Sequence, residues 1–347
     1  MTSRYFKISS LLIVILTISL FIISCKPNQN TKQEKQKVTD TIVDDLTKLT
    51  NEVAANPGKV DPLIARAKYY AHNNKFNEAL ADVNAALDLD KENAVVYMAL
   101  SEVYLYSGKT QRALDALKKA KELAPDNSDV DVSIARIYLT MSDYKQTFTA
   151  LREALKKNPN NAEAFFISGL ANEEMGDTIK AIDNYQAAAS KNPKHYDALK
   201  QLGILFSLRH NPLAIDYLRN AASLKPKSPD PLYILGMHYQ ENGAPDKALS
   251  VYQEIIQVDS TFKLAHYNTG YIYLVYKGDY QSAIDAFSRA LKIDPEYADA
   301  LYNRGYAKEL SGLTEEARTD YQAVLRMKIN DDKAIQGLNR LDALSDK

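Results

Sequence analysis

The sequence predicts an all-α solenoid: about eight helical hairpins stacked in one repeat domain, with a capping helix at each end. Two columns of small residues and a recurring proline carry this expectation. The first column runs Ala67, Ser101, Ala135, Gly169, Gly203, Gly236, Gly270, Gly305, at steps of 33 to 35 residues. The second keeps the same step through Ala79, Ala113, Thr147, Ala181, Ala214, Ala248, Ala283 and Ala317. Pro125, Pro159, Pro193, Pro226 and Pro295 close most copies. Self-similarity at such a period is the mark of a repeat architecture, in which one unit cannot bury its apolar faces alone and stacking neighbours bury them together.

The copy from Ala162 to His195 shows the unit most plainly. Two apolar-periodic segments, Phe165 to Glu174 and Ile179 to Ala189, flank Met-Gly-Asp and end at Lys-Asn-Pro. Gly176 turns the chain between two helices, and Pro193 ends the second because proline lacks an amide donor and clashes with the preceding turn. Small residues in both helices let their backbones approach. Large ones beside them fill the space between hairpins: Tyr70, Tyr104, Tyr138, Phe206, Tyr239 and Tyr273 in first helices, then Leu117, Leu151, Tyr185, Leu218, Tyr252, Phe287 and Tyr321 in second helices.

From the start of the chain, residues 1–24 read as a signal segment. Arg4 and Lys7 precede an apolar run from Ile8 to Ile23, short of the roughly 20 residues that span a bilayer. Ile22-Ile23-Ser24-Cys25 resembles the lipobox of bacterial lipoproteins, which implies that Cys25 becomes the lipidated first residue of the mature chain; an uncleaved signal anchor is the other reading. The resemblance implies a lipid anchor in the bacterial cell envelope. Lys26, where retention signals carry an acid, favours the outer membrane facing the periplasm. Residues 25–37 continue as a tether without large apolar side chains. Over 38–57 the stripe Ile42, Val43, Leu46, Leu49 and Val53 predicts an N-terminal capping helix.

The repeats then open near Val60, Ala94, Ser128, Ala162, Tyr196, Pro229, Lys263 and Ala298. A period of 34 with small, aromatic and proline columns at fixed offsets resembles the tetratricopeptide repeat, over residues 60–329. Departures are Asp131 and Thr147 in repeat three, Asn172 and Lys308 in place of a first-helix aromatic, and no closing proline in repeats one, six and eight. The resemblance implies a right-handed superhelix whose concave face, lined by first helices, takes a peptide or partner helix. Residues 330–347 place Ala334, Ile335, Leu338, Leu341 and Leu344 on one helical face, with Lys333, Arg340 and Asp342 expected to point away from it. A polar outer surface is what a solenoid's terminal cap needs.

Composition excludes several functions. Without Arg4 and Lys7 the 43 basic residues become 41 against 44 acidic, a net charge near −3 with no basic stripe, which argues against nucleic acid. Cys25 is the single cysteine, so no disulfide forms within the chain. The five histidines fall in different repeats and no HExxH, CxxC or GxSxG pattern occurs, so neither a metal site, a cofactor nor a catalytic nucleophile is expected. Gly108-Lys109-Thr110 lacks the upstream glycine of a phosphate-binding loop. The carboxylate pairs Asp129 with Asp131 and Glu173 with Glu174 sit at helix ends and are read as structural. The chain is read as a non-enzyme.

The columns expected to face inward are polar in the first half, with Lys68, Glu102, Arg136, Glu173 and Glu174. They are aromatic in the second: Tyr233, Tyr267, Asn268, Tyr271, Tyr302, Asn303 and Tyr306, with Phe166 earlier. Tyrosine offers contact area with a polar tip, and asparagine can bond a peptide backbone as donor and acceptor. Packing against the next hairpin is the competing role for these residues. The lysine and asparagine set of a chaperone-binding carboxylate clamp is not reproduced. The sequence thus predicts an adaptor that captures a protein or peptide in its groove; the alternative is a structural protein that self-associates into homo-oligomers.

Overall fold

The computed structural model describes residues 45–345. The signal segment, Cys25, the tether and the first part of the N-terminal cap lie outside the described residues. Every regular element within them is helical. The chain divides into two compact units between Leu89 and Asp90, where the sequence suggests one repeat domain. In a repeat array each hairpin touches only its neighbours, so no single core binds the whole together.

The first unit holds α1 (45–55), α2 (Val60–His72) and α3 (Phe76–Leu89). Leu46, Leu49 and Val53, the described part of the predicted apolar stripe, are half-buried. Ala67 of α2 and Ala79 and Val83 of α3 are fully buried, and Arg66 donates two hydrogen bonds to Asp82 at 2.7 and 2.8 Å.

The second unit is a run of seven hairpins and a final helix. Its first helices are α4 (Ala94–Tyr106), α6 (Ser128–Thr140), α8 (Ala162–Glu174), α10 (Tyr196–Leu208), α12 (Asp230–Glu241), α14 (Lys263–Ile272) and α16 (Ala298–Leu310). Their partners are α5 (Thr110–Leu123), α7 (Tyr144–Lys157), α9 (Thr178–Lys191), α11 (Leu213–Leu224), α13 (Pro245–Val258), α15 (Tyr280–Ile293) and α17 (Thr314–Met327); α18 (Asp332–Ser345) closes the unit. Short polar side chains start many of these helices by accepting otherwise orphaned backbone N–H groups. Asn93 caps Val95, Asn161 caps Ala164, and Asp143, Asp177 and Asp279 cap the N–H three residues on.

Each hairpin turns through one residue with positive φ: Asn74, Gly108, Ser142, Gly176, His210, Gly243, Gly278 and Gly312. This column explains the uneven repeat length. Repeat five loses a residue just after His210, and α11 is correspondingly short at 12 residues. Repeat seven gains one before Gly278, where α14 runs into a π-helical turn over Tyr273–Lys277. A π-turn absorbs a single inserted residue without breaking the helix.

Inside the second unit, α4 with α6, α6 with α8 and α10 with α12 also touch across successive hairpins. Two sequence expectations change here. Asp131, read as a helix-dipole residue, is 1% exposed and held between Lys121 at 2.7 Å and Lys157. On α18, Arg340 does not point away: its guanidinium grips Glu309 of α16 at 2.6 and 2.8 Å, and Asp342 pairs with Arg318 at 2.7 Å. The last helix still has a neighbour on its polar side, and that neighbour presents charge.

Candidate functional site

The predicted groove residues separate into three groups. Phe166 and Asn268 are interior. Phe166 packs 5.6 Å from Tyr185 and 4.8 Å from the His195 ring, while Asn268 donates to the Tyr252 hydroxyl at 3.1 Å. Neither offers a contact surface, which corrects the expectation that they face a ligand. Both sit beside the small-residue column, where the two helices of a hairpin come closest.

Tyr233 and Tyr267 are half-buried, because each meets an aromatic residue from the loop that enters the next first helix. The rings Tyr233 and Phe262 lie 5.5 Å apart edge to face, and Tyr267 and Tyr297 lie 5.0 Å apart. Asn303 Nδ2 donates to the Tyr267 hydroxyl at 2.9 Å and ties repeat eight to repeat seven. Burial, with the charge of Asp299 adding to it, pushes the Tyr267 pKa up to about 12.

Tyr271, Tyr302 and Tyr306 are half-buried too, packed against the core of the last repeats, but have no such aromatic residue from the following loop. Tyr302 and Tyr306 lie nearly parallel, 9° apart, at 6.4 Å, and the Arg340 guanidinium stands 5.5 Å from the Tyr306 ring. Tyr271 meets Tyr276 edge to face at 6.4 Å. A cavity of about 350 Å³ beside Tyr302 is lined also by Asp299, Asp331, Asp332, Lys328 and Lys333.

Sequence reasoning missed Phe262, Tyr297 and Tyr276. The first two stand in the column of helix-capping residues that holds Asn93, Asn127 and Asn161, so an aromatic residue in a cap position was the available signal. Tyr276 belongs to the π-turn, where an extra residue shifts the register, and nothing in the fixed columns pointed to it. It is exposed, and burial together with Tyr271 and Glu241 raises its pKa.

In the other half of the unit the inner columns are satisfied internally. Glu163 receives hydrogen bonds from Arg136 and from His195 Nε2, the latter at 3.0 Å. Burial acts to raise the Glu163 pKa, but the His195 bond and the Arg136 charge outweigh it and hold the carboxyl below its ordinary value. Glu173 accepts the Tyr185 hydroxyl at 2.6 Å. Among the described residues no cluster of His, Asp and Glu has the arrangement of a metal site, and no helix is long and apolar enough to cross a membrane.

Comparison with known proteins agrees with this architecture. The family model described as the cytochrome c-type biogenesis protein H TPR domain matches residues 72–199. Two tetratricopeptide-repeat models match residues 274–312 and 299–327. Human tetratricopeptide repeat protein 6 is 36% identical over 69 residues, which is 20% of this chain; the chain spans 13% of that protein's length. Among solved structures, the C-terminal part of a TPR repeat-containing protein from Cytophaga hutchinsonii superposes with a TM-score of 0.59 at 19% identity, over 69% of this chain and 98% of that one. The pilF protein of Pseudomonas aeruginosa gives a TM-score of 0.49 at 20% identity, over 59% and 93%.

Proposed function

From a chain built of tetratricopeptide repeats, a fold generally used for protein–protein interaction, we propose a non-enzymatic adaptor that captures a protein or peptide on the inner face of its second unit. The observation that carries this reading is the half-buried trio Tyr271, Tyr302 and Tyr306, over which no aromatic residue from the loop of a following repeat packs. Rigid aromatic side chains lose little entropy on binding and dominate interface energetics.

The adaptor is held at the bacterial envelope through Cys25, at the outer membrane on its periplasmic side. The motif at Ile22 to Cys25 supports this part, which concerns residues outside those described.

Photo-crosslinking tests the binding face. A benzophenone amino acid in place of Tyr306 captures a defined partner, whereas the same group in place of Glu153, on second helix α7, does not. Tyr271→Ala with Tyr306→Ala weakens that capture by at least about tenfold while helix content stays unchanged. Equal capture from both positions, or capture indifferent to the double substitution, sinks the site. Light scattering of the purified chain tests the structural alternative: a monomer at every concentration excludes self-assembly.

A further inference from the structure

We infer, building on the adaptor reading, that the partner presents arginine to this face: its guanidinium takes beside Asp299 and Tyr271 the place that Arg136 holds beside Glu163. The repeats supply the comparison. Arg136 directly follows the small residue of α6 and pairs with Glu163, the second residue of α8. One junction type, two outcomes: where α14 meets α16, Tyr271 follows the small residue and Asp299 is the second residue of the next helix. The carboxylate is kept and its cation is replaced by an aromatic ring.

Other junctions do not combine these features. Ile204 faces the column of Asp230, Met237 that of Leu264, and Tyr306 that of Lys333. Asp299 is exposed and makes no hydrogen bond or ion pair among the described residues. Glu241 is equally open on the other side of Tyr271, beyond Tyr276, whose hydroxyl lies 3.5 Å from the Gln240 carbonyl. Nearby cations are mostly committed: Lys263 to Asp294 at 2.5 Å, Lys277 to Asp246 at 2.5 Å, and Arg340 to Glu309. Two others, Lys328 and Lys333, share the cavity beside Tyr302 with Asp299, Asp331 and Asp332, and Lys333 lies over the Tyr302 ring.

Two open carboxylates flanking tyrosine rings attract a cation and repel phosphate or acidic peptides. A guanidinium suits the place better than an ammonium, because it stacks flat on a ring while its edge forks onto a carboxylate.

The test uses the full-length chain in detergent with two fluorescein-labelled peptides, (Leu-Arg)4 and (Leu-Cit)4, in which citrulline replaces the guanidinium by a neutral urea. The arginine peptide binds at least about tenfold tighter, as expected for a charge-assisted bond beside a ring. Asp299→Asn collapses that preference toward one. Tyr271→Arg, which rebuilds the Arg136–Glu163 pair within the protein, also removes it, with helix content and melting temperature retained as the check on folding. Equal binding of the two peptides, binding of neither, or a preference that survives Asp299→Asn overturns the inference. If crosslinking from position 306 still captures a partner in those cases, the adaptor reading stands and the arginine preference alone falls.

Discussion

Gly169 and the ring of Tyr185 share one space: a Cβ on Gly169 would stand 2.4 Å from Tyr185 Cε1. The same complementarity joins Gly236 to Tyr252 and Gly270 to Phe287. Where the second helix carries Leu117 or Leu151 instead, the first helix carries Ser101 or Ala135. In these hairpins a large ring faces glycine and a leucine faces alanine or serine; Gly203 is the exception, since it faces Leu218, whose Cδ2 would lie 2.5 Å from an added Cβ.

Gly169→Ala overpacks this contact and costs about 1–3 kcal/mol. In a Tyr185→Leu background the same substitution costs less than about 1 kcal/mol, since it recreates the pair of Ala135 with Leu151 found in repeat three. A double-mutant cycle by urea denaturation measures the coupling; additive effects would show that the two columns do not interlock.

Ser142 and His210 hold φ values of 56° and 51°, in a region that disfavours side chains. Ser142→Gly and His210→Gly each stabilise the chain by about 1 kcal/mol, while Gly176→Ala destabilises it by a similar amount. Melting temperatures of the three variants check the opposite signs.

Asp131 is buried between two lysines. Lys121→Met or Lys157→Met alone leaves one cation in place and costs little. Removing both leaves a buried carboxylate uncompensated and costs about 3 kcal/mol. Hydrogen exchange in α6 reports the loss locally, and equal effects from single and double variants would contradict a shared site.

Glu163 and Glu309 both have carboxyls held below the ordinary glutamate range. At Glu309 burial opposes the shift, and bonds from Arg340 and Tyr321 outweigh it. Their folded pKa values lie below their unfolded ones, so the folded state binds fewer protons and stability rises with pH across that window. The contribution is complete above the unfolded value and disappears as pH falls through the folded one. Glu309→Gln therefore flattens the fall in melting temperature between about pH 5 and 3, and has a pH-independent effect near neutrality.

Cys25→Ala removes the proposed lipid acceptor. Fractionation of cells expressing it should move the chain from the membrane to the soluble fraction, whereas a variant that stays tightly membrane-bound after signal cleavage would exclude lipidation at Cys25 as the anchor.

The hairpins were legible in the sequence because their determinants are local and repeated. A small residue every 34 positions, a turn residue seven places later and a capping asparagine or aspartate act within one or two turns of helix, and each copy restates them. The same repetition made the two length changes visible as steps of 33 and 35. The columns could not say where the extra residue goes; packing places it in the π-turn, and Tyr276 with it.

The binding face was only half legible. Tyr233, Tyr267 and Phe166 occupy the column expected to face inward, but a column states direction and not coverage. Whether a ring is covered depends on the next repeat's loop: Phe262 and Tyr297 meet two of these rings, His195 meets a third, and Tyr302 has no such aromatic partner from a following loop. Likewise the sequence showed Arg136 and Tyr271 as members of one column, and Glu163 and Asp299 as members of another. Only the tertiary structure joined the two columns across a junction, because Arg136 and Glu163, 27 residues apart, meet solely when one hairpin stacks on the next.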